Sequence, residues 1–298
     1  MAIPQPAIFA MGSRSHFYLE LDLLPGADAA RILDVLASLE GPHSTTGGAN
    51  TVVAFERGVW EAAGGAVPPD LTRFEPIAGP DGFEMPAEQH DVWVWISGPG
   101  YDLVFDTARA MAMAFADLAT VATQRAGFTY RDSRDLSGFE DGTENPPVDE
   151  APFLASVPEG VPGAGGSVVL FQRWVHSLPV LHALDVSEQE AIIGRTKDTS
   201  EELPDDAKPA DAHISRVVIE DADGDELEVF RRSVPYGDLD EHGLLFVAFS
   251  ADQSRLARML DNMAGVGDGV RDRITTWSTP MAGAYYFAPP LDALAAAD

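Results

Sequence analysis

Apolar and polar residues alternate at period two from Ser15 to Leu23, and a 3.6-residue apolar repeat follows at Ile32, Leu33, Leu36 and Leu39. This predicts a half-buried strand feeding an amphipathic helix. The run Thr51 to Phe55 and the segment Asp91-Val92-Trp93-Val94-Trp95-Ile96 read as two more strands, separated by a Pro/Gly-rich stretch from Gly64 to Pro86. An Ala- and Met-rich helix is predicted from about Tyr101 to Thr123, ahead of a short strand at Phe128-Thr129-Tyr130. The order β-α-β-β-α-β is that of the split βαβ, or ferredoxin-like, unit.

After a second Gly/Pro-rich stretch, Val157 to Gly166, the order recurs. Ser167 to Val175 reads as a strand. Leu178 to Ile193 reads as one or two helices, the second opened by Ser187-Glu188-Gln189-Glu190 in the manner of a capping box. His213 to Glu220 and Leu227 to Ser233 read as two strands joined at Asp223-Gly224, a two-residue hairpin signal that sets Arg231 opposite Arg216. The apolar run Leu244 to Phe249, a helix from Asp252 to Met263 and a closing strand at Ala284 to Phe287 complete the chain. The expectation is an α+β fold of two tandem ferredoxin-like halves, residues 1–150 and 151–298, whose antiparallel sheets pack together as one body.

With 45% hydrophobic and 22% charged residues, the chain has the composition of an ordinary globular protein. Nineteen basic residues against 48 acidic ones give a formal charge of −29, which repels phosphate backbones and argues against a nucleic-acid partner. The absence of cysteine excludes disulfides, Cys-bound zinc, iron–sulfur clusters and thiolate catalysis. No uncharged apolar run approaches the roughly 18 residues of a membrane span. The start, Met1-Ala2-Ile3-Pro4-Gln5-Pro6, lacks a basic leader, and the end, Leu291 to Asp298, lacks an appended shell-targeting peptide. The address expected from these features is the cytoplasm.

The densest chemical signal is Gly138-Phe139-Glu140-Asp141-Gly142-Thr143-Glu144-Asn145-Pro146, a cluster of carboxylates between two glycines and ended by prolines. Asp next to Gly is also everyday turn chemistry. A calcium loop is excluded, because Pro146 and Pro152 fall where such a loop needs Gly and Glu. Two further groups stand out in the second half: His213, and Arg231 at the end of the predicted hairpin. For both to border one pocket, His213 must sit at or before the start of its strand.

The Gly138 run, with His213 in Asp211-Ala212-His213-Ile214 and Arg231 in Phe230-Arg231-Arg232-Ser233-Val234-Pro235, resembles the signature of the dye-decolourising haem peroxidases, in their shorter class B or P form. The resemblance covers nearly the whole chain. It implies one haem b per chain, with His213 as the proximal iron ligand and Asp141 and Arg231 as the distal acid and arginine. It further implies Arg195, in Ile193-Gly194-Arg195-Thr196-Lys197, at a haem propionate, Ser233 in the distal hydrogen-bond network where some relatives carry Asn, and Asp272 as the carboxylate behind His213. The implied activity uses hydrogen peroxide to form a ferryl intermediate and oxidises aromatic small-molecule donors by single electrons. A homo-oligomer, dimeric or larger, is implied as well. The rival reading is a haem-binding, porphyrin-handling protein that stores or transfers the cofactor without sustained turnover.

Overall fold

The strand Ser15–Leu23 lies at the centre of the first half, pairing antiparallel with both Val92–Gly98 and Ala119–Phe128, while Asn50–Phe55 extends the sheet beyond Val92–Gly98. This is a computed structural model that describes residues 2–39, 43–221 and 223–295; Met1 of the start and residues 296–298 of the tail discussed above lie outside the described residues. In chain order the first sheet runs fourth, first, third, second. The second sheet repeats that order: Ser278–Ala288 pairs with Ser167–His176, which pairs with His242–Ser250, which pairs with Val234–Gly237. Both halves therefore have the ferredoxin-like strand order expected from the sequence.

The halves are joined edge to edge as well as face to face. Phe55 pairs with Phe287 and Gly127 with Tyr236, so eight strands close into one ring, with the short strand Phe230–Arg231 added on His242–Ser250. Period-two alternation divides the buried side chains between its two faces. Tyr18, Trp93, Trp95, Phe171, Phe249 and Tyr286 fill the interior, and Phe17, Leu19 and Leu21 point outward to the covering helices. Trp93 and Trp95 are almost completely buried; an aromatic of this size removes about 150–250 Å² from water, an upper bound of roughly 4–6 kcal/mol each. Helices Arg31–Ser38 and Tyr101–Ala114 bury Ile32 and Leu36, and Val104, Ala108 and Met111, at helical spacing. Among the described residues no helix is long and apolar enough to cross a membrane.

Several elements differ from the sequence expectation. The Ala/Met-rich helix stops at Ala114, and the chain turns through Phe115–Leu118 into the ten-residue strand Ala119–Phe128; the β-branched Thr120, Val121 and Thr123 suit a pleated surface better than a continued helix. The capping box is built by Asp185 and Glu188, its N-cap two residues before Ser187. His213–Val217 is a helix, not a strand, packed on the helix Gln253–Ala264. Its β-branched content is overridden by that packing and by Arg216, whose guanidinium spans Asn262 O and Asp268. The predicted hairpin shrinks to one bridge, Glu220 to Glu226, and Arg231 pairs with Ala248 instead of Arg216. The closing strand is longer than expected, Ser278–Ala288.

Candidate functional site

Helix formation at His213 resolves the facing problem that a strand would have posed. As the first residue of its helix, His213 lines a cavity that also receives Asp141 and Arg231. The cavity is walled largely by Ile193, Val217, Leu244, Phe246, Met259 and Ile274, the mostly apolar lining with a few convergent polar groups that cofactor sites show.

The His213 ring is fixed from behind. Its Nδ1 lies 2.7 Å from Oδ2 of Asp272, a side chain with no exposed surface, and Oδ1 of Asp272 accepts a 2.9 Å hydrogen bond from Ile274 N–H. With Nδ1 committed to the carboxylate, Nε2 is the nitrogen left for a ligand, and the partner carboxylate raises its basicity. The Asp272 segment is anchored in turn, because Arg273 N–H donates to Asp211 O two residues before His213.

Asp141 is carried by the carboxylate loop. Gly142 follows it with φ +78°, a conformation open to glycine, and Asp141 N–H reaches Ser133 O at 3.3 Å. The Arg134 guanidinium holds the loop from outside through Gly138 O and Lys197 O, both at 2.9 Å. Asn145 ties the far end to the strand Phe230–Arg231: its Nδ2 donates to Arg231 O at 2.9 Å and its Oδ1 accepts from Arg231 N–H at 2.8 Å.

Burial pushes the Asp141 carboxyl up to about 6; the Arg231 and His213 charges pull it down and the Asp135 charge pushes it further up. Burial also lowers Arg231, against the stabilising charge of Asp141. Nε of Arg231 is buried without a hydrogen-bond partner. An acid that titrates near neutrality beside a guanidinium with a spare donor can move a proton and stabilise a developing negative charge in one place.

Of the remaining sequence-selected residues, Ser233 uses its hydroxyl to accept from Val247 N–H at 3.3 Å and lines a neighbouring cavity together with Arg231. Arg195 does not line the main cavity. It stands just after the left-handed Gly194, where its guanidinium donates to Ser200 O and pairs with Glu144 of the carboxylate loop and with Glu202.

Two sets of residues escaped the sequence reading. Asn145 was legible only as a possible calcium-loop position. The buried row Asp135, His176 and Ser278, with His176 Nε2 3.1 Å from Asp135 and Nδ1 2.9 Å from Ser278 Oγ, forms part of the cavity wall. Burial pushes Asp135 up, but hydrogen bonds from His176 and Ser137 outweigh it and hold the carboxyl below its usual range. Its three members stand 41 and 102 residues apart along the chain, so no spacing marks them.

Residues 16–129 match the N-terminal domain of the Dyp-type peroxidases and residues 132–293 the C-terminal domain. The chain belongs to the Dyp-type peroxidase family. It is 35% identical to a dye-decolorizing peroxidase of Mycolicibacterium paratuberculosis, over 98% of this chain and 84% of that protein, and 34% identical to one of Rhodococcus erythropolis, over 98% and 88%. Among solved structures, a putative dyp-type peroxidase from Shewanella oneidensis superposes with a TM-score of 0.94 at 31% identity, covering 100% of this chain and 99% of that one. DyPB from Rhodococcus jostii gives 0.91 at 33% identity, covering 98% and 97%, and variants of that protein were solved in complex with heme.

Proposed function

We propose that this chain is a haem peroxidase that reduces hydrogen peroxide to two molecules of water while two aromatic donors each give up one electron and one proton. The observation that carries the reading is that His213, Asp141 and Arg231, drawn from three separate elements, line one apolar-walled cavity. The residues present fit a haem b. The walls suit a flat apolar macrocycle, His213 keeps Nε2 for the iron, and the unpartnered Nε of Arg231 is a donor that would be free to meet peroxide.

When bound, the haem supplies the redox-active iron. The chain's own groups do the rest. Asp272 orients the His213 imidazole and strengthens it as a ligand. Asp141, in its deprotonated form, would take a proton from one peroxide oxygen and return it to the other. Arg231 stabilises the negative charge that grows there as the bond breaks. Arg195 lies beside the carboxylate loop rather than on the cavity wall, so its action on a propionate would pass through the segment it shares with Glu144. Similarity to DyPB supports placing the chain with the class B or P members.

The test is direct. Reconstitution with haem should give a Soret band that is lost in the His213→Ala variant, and the holoprotein should turn over an uncharged phenol with peroxide continuously. A Soret band without sustained turnover would instead assign the chain to porphyrin handling.

A further inference from the structure

One short segment, residues 272–278, supports both sides of the cofactor cavity. At its start Asp272 meets the His213 ring; at its end Ser278 Oγ lies 2.9 Å from Nδ1 of His176, whose Nε2 lies 3.1 Å from Oδ1 of Asp135. His176 closes the strand Ser167–His176, Ser278 opens Ser278–Ala288, and the two are cross-strand partners. Just beyond them Ser177 N–H donates to Trp277 O at 2.7 Å, and the Trp277 and His176 rings meet edge to face, 4.9 Å between centroids. The imidazole is thus fixed on paired strand ends.

Asp135 carries that fixation into the carboxylate loop. Its N–H donates to Phe139 O and its C=O accepts from Gly138 N–H, both at 2.9 Å, which closes a tight turn around the left-handed Gly138, φ +91°. Its second carboxylate oxygen accepts from Ser137 N–H at 2.8 Å. Every polar group of Asp135 is therefore spent on this turn or on His176, and Asp141 stands two residues beyond the turn's last member, Phe139.

The row also holds a charge. Burial pushes the Asp135 carboxyl up, and the hydrogen bonds from His176 and Ser137 outweigh it, so Asp135 stays ionised at neutral pH. An ionised carboxylate only accepts, so Nε2 of His176 carries the proton of their bond. Asp135 and Asp141 line the same cavity, and the groups whose charge reaches Asp141 are Arg231 and His213, which favour its anion, and Asp135, which opposes it. On the outer side, across the neighbouring cavity that Asp141 also borders, stand Arg14, His16, Arg131, Asp132, Arg134 and Arg232.

We propose that Asp135, His176 and Ser278 are positioning residues for Asp141: they tie the turn that aims this acid to the segment that orients His213, and they keep a fixed negative charge beside it. A like charge nearby makes a carboxylate a stronger base, which serves proton abstraction from peroxide. That use rests on the peroxidase reading; the hold on Asp141 does not.

Fluoride titration of the ferric haem-loaded protein, followed at the Soret band across pH, reads Asp141 without turnover. Bound fluoride accepts a hydrogen bond from a protonated acid, so its affinity should follow Asp141 and lose that dependence in Asp141→Asn. Asp135→Asn removes the charge and keeps an oxygen for the His176 donor; the midpoint should move to lower pH by about half a unit or more. In stopped flow, Ser278→Ala should slow the peroxide reaction by about threefold or more and His176→Phe by about tenfold or more, with haem retained. Ser278→Thr, which keeps the hydroxyl, should stay within about twofold of wild type. An unmoved midpoint in Asp135→Asn overturns the charge effect. Equal rates in Ser278→Ala and Ser278→Thr overturn the positioning, even if Tm falls, and this pair decides it should His176→Phe fail to fold. Absence of phenol turnover in the wild type rejects the peroxidase reading alone, because the fluoride midpoints still decide the hold on Asp141.

Discussion

Asn145 and Arg231 are joined by a two-point hydrogen bond, side-chain amide to main chain, at 2.8 and 2.9 Å. The geometry is that of one rung of a β-ladder in which an asparagine side chain stands in for a strand. It fixes the carboxylate loop to the strand that carries the arginine, and so fixes the spacing of Asp141 from Arg231.

Replacing Asn145 by Leu keeps its forked shape and removes both bonds, leaving the Arg231 N–H and C=O without these partners. Removal should cost about 1–3 kcal/mol of stability, seen as a lower Tm. The peroxide reaction should slow by about tenfold or more, because an ångström of misplacement in a catalytic pair costs on that scale. Haem absorption should be retained. A stopped-flow rate within twofold of wild type would show that the rung positions nothing.

Asp272 meets the His213 ring, and in the proposed reading it acts on the cofactor only through that ring. Asp272→Asn keeps an oxygen to accept from Ile274 N–H but removes the charge behind the imidazole. Haem affinity should fall by about 10–100-fold, the usual cost of losing such a partner, and the midpoint potential of the iron should rise as the ligand becomes a poorer donor. Haem titration and spectroelectrochemistry measure the two effects. A potential at or below that of wild type would deny Asp272 this role.

How much of this was visible beforehand follows from the range of the interactions involved. The strand order of both halves was legible from the order of elements, with the alternation in Ser15–Leu23 and the apolar, β-branched run in Ser167–His176 marking the first strand of each. The seam was not: Phe55 with Phe287 and Gly127 with Tyr236 are pairings across the chain that leave no local trace. His213 was selected with its neighbours but placed on the wrong element, since Ile214, Val217 and Val218 favour a strand until packing on Gln253–Ala264 decides for a helix. The Asp135, His176 and Ser278 row was invisible for the same reason as the seam.

The buried Asp141 carboxyl, pushed up to about 6, gives two pH signatures of opposite sense. Proton abstraction needs the carboxylate, so the rate of peroxide consumption should fall as pH drops through about 6, and Asp141→Asn should abolish that limb. For stability, a carboxyl whose folded value lies above its unfolded one favours the folded state most below about pH 4, and that contribution is lost as pH rises through about 6. Asp141→Asn should therefore raise the Tm of the haem-free protein relative to wild type at pH 8, and the difference should shrink toward pH 4. A difference that grows toward acid would contradict the assignment.

Arg231 offers the sharpest separation of binding from chemistry. It lines the cofactor cavity from a strand position where Ala248 pairs with its backbone and Asn145 holds its main chain, so the side chain contributes little to the strand's own pairing. Arg231→Leu fills similar space with an apolar stem and removes the only cation on the lining apart from the histidines. The haem should stay, because His213 and Asp272 are untouched. Peroxide cleavage should slow by about 100-fold or more, the loss seen when one donor to a developing oxyanion is deleted. The same change removes the charge that draws Asp141 down, so its titration should move upward and the acid limb of the rate profile with it. A slowed reaction whose acid limb stays in place would mean that Arg231 acts on the peroxide alone, with no hold on the acid beside it.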